Sequence, residues 1–158
     1  VNEAGELQAA LDKAFKEDDQ VLVEEYIKGR EFTIGVFRSD GKVVTLPFTE
    51  VITENEFFDY QAKYEGKSHE VTPAVCSDEM ARQIRDTAIK VYDVFNCRGI
   101  VRMDFIYEAS ANAPFLLEIN TVPGQSEASI VPQQVRANGW KLMDFYTRLV
   151  EEALNNKK

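Results

Sequence analysis

From Glu3 to Lys16 the apolar residues Ala4, Leu7, Leu11, Ala14 and Phe15 recur at helical spacing with polar residues between them, which predicts one amphipathic helix. The pattern then shortens. Gln20 to Ile27 is rich in Val and Leu, Lys28-Gly29 interrupts it, and Glu31 to Phe37 resumes with β-forming residues, predicting two strands joined by a turn. Asp40-Gly41 is a hairpin signal, so Val43 to Leu46 is expected to pair back on the second strand. No period persists from 53 to 76, an aromatic-rich stretch expected to be an irregular loop with a function. Ser77 offers an N-cap, Asp78 and Glu79 suit a first turn, and Met80, Ile84, Ala88, Val91 and Phe95 form the apolar stripe of a second helix. Two strands follow, Gly99 to Tyr107 and Pro114 to Ile119, then a turn-rich loop and a short helix opened by Pro132 and ended at Asn138-Gly139. A final helix carries Leu142, Phe145, Tyr146, Leu149, Val150 and Ala153 on one stripe. This order of elements predicts an α+β fold, an antiparallel sheet with helices packed on one side.

Composition narrows the function classes. A length of 158 residues suits one domain with a sizeable core, and is short for an enzyme that closes two lobes around its substrates. The excess of 27 acidic over 18 basic side chains, a net charge of −9, argues against a nucleic-acid partner held by a general basic surface. No apolar run approaches the roughly 18 residues of a membrane span, and no secretory pattern opens the chain. The two cysteines, Cys76 and Cys97, make no disulfide framework and no paired CxxC site. A soluble, cytoplasmic protein is the expectation.

Geometry adds candidate chemistry. If Gly99 to Tyr107 and Pro114 to Ile119 form an antiparallel hairpin, residue 104 falls opposite 118 and residue 102 opposite 120. One face then carries Val101, Met103, Phe105, Phe115, Leu117 and Ile119, and the other Arg102, Asp104, Glu118 and Asn120. Directly opposed carboxylates repel by up to about 1 kcal/mol, so a positive group is expected between them. These residues alone leave two readings open: a surface salt-bridge cluster around Arg102, or oxygen ligands for a hard cation such as Mg²⁺. The turn Asn120-Thr121-Val122-Pro123-Gly124, with Ser126 and Ser129 beyond it, is either an ordinary Ser-rich loop or an anion site of backbone N–H groups and hydroxyls.

Four segments carry a family resemblance. VLVEEYIKGREFTIGV (21 to 36), FFDYQAKYEG (57 to 66), CRGIVRMDF (97 to 105) and LLEINTVPGQSEASIVP (116 to 132) resemble, in order, signature segments of D-alanine–D-alanine ligases of the ATP-grasp superfamily. The resemblance implies the C-terminal lobe of that fold. Residues 1–30 would be a remnant of the central lobe, a helix and a strand with the adenine-binding edge, and residues 31–158 the C-terminal lobe with the metal site. It further implies that Glu24, with the backbone of Glu25, Tyr26 and Ile27, meets adenine, that Glu31 meets the ribose, and that Lys63 contacts the ATP phosphates. Asp104, Glu118 and Asn120 would hold two Mg²⁺ ions, with Mn²⁺ an alternative. Arg102 and the N–H of Gly124 would stabilise an oxyanion, Ser129 beside Ile130 would bind the carboxylate of the second D-alanine, and Tyr64 would help close a loop over it.

Taken singly these residues are less telling. Glu24 and Glu31 read as solvated strand charges, Lys63 as a surface lysine, Tyr64 as a packing aromatic, and His69 as an exposed loop residue without a role. Gln125, Ser126 and Ile130 stand where the family commonly has Met, Thr and Leu, which bears on the shape of the second-substrate pocket. Tyr64 stands where ligases forming D-alanine–D-lactate commonly carry Phe, which favours the dipeptide. The expected activity is ATP-dependent joining of two D-alanines for peptidoglycan synthesis, in a homodimeric parent; no Gly-rich phosphate loop precedes Glu3, so these residues alone are expected to be inactive. Other expectations are another ATP-grasp carboxylate–amine or D-alanine–D-lactate ligase, or a non-catalytic nucleotide- or metal-binding module.

Overall fold

The strand expected at Glu31 to Phe37 is Arg30–Ser39 (β1) in the computed structural model, which describes residues 1–53 and 68–155. It is buried without a break from Phe32 to Phe37, because both of its faces are covered. Phe32, Ile34 and Val36 point into one core with Ala81, Ile84, Ala88 and Tyr92 of a helix, Asp78–Val94 (α2). Phe37 points the other way, against Leu46 and against Val131, Val135 and Phe145 of two later helices, Ile130–Ala137 (α3) and Leu142–Asn155 (α4). The α+β class therefore stands, but the helices divide between the two faces and do not lie on one side.

Lys42–Thr45 (β2) pairs with β1 through a two-residue turn in which Asp40 and Gly41 take φ of 51° and 72°. Those left-handed values match the hairpin signal, since glycine has no Cβ to clash and Asp tolerates the region. Thr49–Thr53 (β3) and Ser68–Val71 (β4) extend the sheet on the same flank, and Val101–Glu108 (β5) and Ala113–Asn120 (β6) on the other, in the antiparallel order β4-β3-β1-β5-β6 with β2 beside β1. All of β4 and the last residue of β3 fall where an irregular stretch is expected. Ser68-His69-Glu70-Val71 has little apolar content; its strand form comes from the ladder to β3, where exposed His69 lies opposite Ile52.

The strand expected at Gln20 to Ile27 is absent. The segment has no regular secondary structure, with Leu22 at 86% exposure and no neighbouring strand among the described residues, and a β-prone sequence without a partner has no ladder to join. The first helix is a short 3₁₀ turn at Ala4–Glu6 leading into Leu7–Ala14 (α1), and neither piece buries a residue. On α2 Ser77 caps the first turn, its Oγ accepting from Met80 N at 3.2 Å. The helix α3 begins two residues before Pro132, which sits inside the first turn where a missing N–H costs nothing. No helix among the described residues is long and apolar enough to cross a membrane.

The β5–β6 register is as derived at its polar end, with Arg102 opposite Asn120 and Asp104 opposite Glu118. Beyond Asp104 it shifts by one residue, so Phe105 faces Leu116 and Leu117 is the extra, bulged residue. Leu116 packs on the α2-side core while Leu117 is 47% exposed and Phe115 falls opposite Ile106, which corrects the expected placement of Phe115 and Leu117 on the apolar face. An even alternation hid the bulge because Phe115, Leu116 and Leu117 are all apolar.

Phe37 meets Phe145 and Trp140 edge-to-face, at centroid distances of 5.2 and 6.2 Å. Phe37→Ala is expected to cost about 3–5 kcal/mol of unfolding free energy, read as a fall in urea midpoint, whereas Phe95→Ala on the exposed surface changes it by less than about 0.5 kcal/mol.

Candidate active site

The polar face of β5 and β6 converges on one guanidinium. Arg102 Nε donates to Asp104 Oδ1 at 3.0 Å, its Nη2 donates to Asp104 Oδ2 at 2.8 Å, and the same Nη2 donates to Glu118 Oε1 at 3.2 Å. The positive group expected between the opposed carboxylates is thus Arg102. Thr33 on β1, level with Asp104 across the sheet, adds a hydroxyl donor to Asp104 Oδ1 at 2.9 Å. Asp104 is only 8% exposed and takes three donors, which is how a carboxylate persists at this depth. Burial by itself pulls Arg102 down, but its hydrogen bonds to Asp104 and Glu118 together with their negative charges more than reverse this, and its pKa is raised above the ordinary value.

Glu118 is the open partner, its side chain 61% exposed. Asn120 follows on the same face, its Oδ1 accepting from Val122 N at 3.2 Å, an Asx turn that steers the chain into Pro123-Gly124. Among the described residues no three His, Cys, Asp or Glu side chains gather as a metal centre. Two carboxylates and an amide oxygen, one carboxylate solvent-facing, instead fit a hard cation that takes its other oxygens from phosphates and water.

Beyond the turn lies a second polar end. Ser129 occupies the N-cap position of α3 with extended backbone, but its hydroxyl makes no capping bond; it lies 2.8 Å from Ser126 Oγ. A Cβ on Gly124 would stand 2.7 Å from Ser129 Oγ, so the absence of a side chain at 124 lets the turn close on that hydroxyl. Gln125 donates to Pro123 O at 3.1 Å and accepts from Tyr146 OH at 3.2 Å, fastening the turn to α4. Ile130, the first residue of α3, is half-buried.

Toward the Arg30 end of β1, Glu24, Glu25, Tyr26 and Ile27 line a cleft of about 720 Å³ together with Glu31, Glu50 and the apolar Ile106, Leu116 and Leu117. The segment that forms no strand is therefore the one that lines the cleft. Lys63 and Tyr64 lie outside the described residues. Two residues went unread in the sequence: Thr33, and Gln134 of α3, whose Nε2 donates to the Thr33 carbonyl at 2.9 Å. Thr33 carries a usable signal, a polar residue two positions from Glu31 on the strand face that lies level with Asp104.

Burial pushes the Glu31 carboxyl up to about 7 from 4.5, with Asp104 and Glu118 adding to the rise and Arg102 opposing it. Between those values the folded chain holds a proton that the unfolded chain releases, so the Glu31 contribution to stability is full below pH 4.5 and is lost as pH rises through about 7. In urea titrations without divalent cation, Glu31→Gln is expected to flatten this fall; an unchanged pH profile contradicts the assignment.

The sequence model of a family described as "D-ala D-ala ligase C-terminus" matches residues 1–151. The D-alanine–D-alanine ligase of Flavobacterium johnsoniae is 42% identical over 154 residues, covering 98% of this chain and 47% of that protein. Among solved structures, the D-alanine–D-alanine ligase of Bacillus anthracis complexed with ATP superposes with a TM-score of 0.79 at 30% identity, covering 98% of this chain and 49% of that one. The VanG D-Ala:D-Ser ligase of Enterococcus faecalis superposes with a TM-score of 0.82 at 31% identity, covering 94% and 43%. The chain spans about half the length of the curated relatives it matches. The fold is that of the C-terminal ATP-grasp lobe, and by sequence and by structure this chain belongs to the D-alanine–D-alanine ligase C-terminal family.

Proposed function

We propose that this chain is the ATP-binding C-terminal part of a cytoplasmic, homodimeric D-alanine–D-alanine ligase that serves peptidoglycan synthesis. The observation that carries the reading is the Asp104–Arg102–Glu118 bridge, set on one face with Asn120 and leading directly into the Gly124–Ser129 turn. One D-alanine carboxylate would take the γ-phosphoryl group of ATP, releasing ADP. The amine of the second D-alanine would then attack that carbonyl carbon, forming the peptide bond as inorganic phosphate leaves and the amine gives up its proton.

Each group has a task on this reading. Glu24 and the chain from Glu25 to Ile27 receive adenine in the cleft, and Glu31 meets the ribose. Asp104, Glu118 and Asn120 would hold Mg²⁺, two ions or Mn²⁺ in their place, which supplies charge neutralisation for the phosphates. With the two carboxylates committed in that way, Arg102 would turn part of its fork to the developing oxyanion, opposite the Gly124 N–H. Ser129, with Ile130 beside it, would receive the carboxylate of the second D-alanine. Lys63 would meet the phosphates and Tyr64 would cover the second substrate.

Residues 1–30, where α1 buries nothing and no strand joins the sheet before β1 opens at Arg30, would belong to the central lobe, and residues 31–158 to the C-terminal lobe. On this reading the 158 residues alone bind ATP weakly and do not ligate. The D-Ala:D-Ser neighbour favours one alternative, a ligase with another second substrate, which a substrate screen on the full-length protein separates. In the full-length protein Arg102→Ala is expected to cut ligation by at least about 10²–10³. Turnover within tenfold of the parent overturns the assignment.

A further inference from the structure

Gln134 is fully buried on α3, and its three side-chain hydrogen bonds all cross to the sheet. Its Nε2 donates to Thr33 O at 2.9 Å and to Thr49 Oγ1 at 3.1 Å, and its Oε1 accepts from Gly35 N at 2.9 Å. These bonds fall at a gap in the ladder. On that flank of β1, β3 pairs as far as Thr33 and β2 begins at Val36, so the side-chain amide takes the place of a strand residue between them. Gly35 makes the approach possible, since a Cβ there would stand 2.9 Å from Gln134 Oε1 and 2.8 Å from Leu46 Cδ1.

The two ends of this strut matter more than its middle. Thr33, whose carbonyl receives the amide, donates through its own hydroxyl to Asp104 at 2.9 Å. At the other end α3 starts at Ser129, against which Gly124 closes. We propose that Gln134 is a positioning residue that sets the separation between the acceptor end of the site, Ser129 and Gly124, and its charged end, Thr33, Asp104 and Arg102. The inference rests on the ligase reading above. Attack by an amine demands a fixed approach to the carbonyl carbon, and a misplacement of about 1 Å can cost about 10²-fold. The adenine cleft lies toward the Arg30–Glu31 end of β1, without a residue of α3 in its walls, so loosening α3 acts on the second substrate and spares ATP.

The test uses the full-length ligase and a KM comparison. Gln134→Met keeps length but leaves Gly35 N–H and Thr33 C=O without their partner; Gln134→Glu keeps the acceptor for Gly35 and serves if the first variant does not fold. The expected result is a second-site D-alanine KM raised at least about tenfold with the ATP KM within about twofold of the parent. Ile84→Val, in the core on the other face, is expected to lower Tm without moving either KM. An active parent whose folded Gln134 variants keep the second-site KM, or shift both KM values together, overturns the inference alone. A parent unable to ligate D-alanine overturns the ligase reading and the inference with it.

Discussion

Arg102 holds two carboxylates that the antiparallel register sets face to face, and much of the local architecture serves to keep that arrangement in place. Asp104 cannot retreat, because Met103 and Phe105 on either side of it are locked in the α2-side core. Removing one member of a buried hydrogen-bonded charge set typically costs about 3–5 kcal/mol, since the remaining charge is left without its partner. Thr33 adds a neutral donor, so the hydrogen bonding of Asp104 does not rest on Arg102 alone. The free choice in the cluster is Glu118, exposed enough to exchange one counter-charge for another.

The sheet divides labour between its faces. Its α2 side is apolar from β1 through β5, which gives the strands a fixed phase. The other side is apolar around Phe37, where α3 and α4 cover it, polar at Thr33, Arg102 and Asp104, and apolar again at Ile106 and Phe115. A helix over one end and an open surface over the other is what leaves a polar patch beside α3.

Sequence reasoning reached these features unevenly. The Arg102/Asp104/Glu118/Asn120 face was legible because apolar and polar residues alternate there and only one register keeps charge out of the core. The hairpin at Asp40-Gly41 and the Ser77 cap were legible because their chemistry is local. Three things were not. The strand form of β4 comes from a partner distant in sequence, the bulge at Leu117 sits in a run of like residues, and the segment at 20–27 has the composition of a strand with no strand beside it among the described residues. Gln134 was hidden for another reason: in IVPQQV two glutamines look alike, and only the fold shows that Gln133 is directed to the Ala128 carbonyl while Gln134 enters the sheet.

The bulge at Leu117 also separates the two ends of β6. Residues 113–116 follow one register with β5 and residues 118–120 another, with the surplus residue between them. Strain from a changed side chain in the first stretch, which floors the cleft, can relax at the bulge before it reaches Glu118. The strand thereby works as two short rulers joined by a slack link, and the stretch along the cleft can take a changed side chain while the spacing of the charged residues stays fixed.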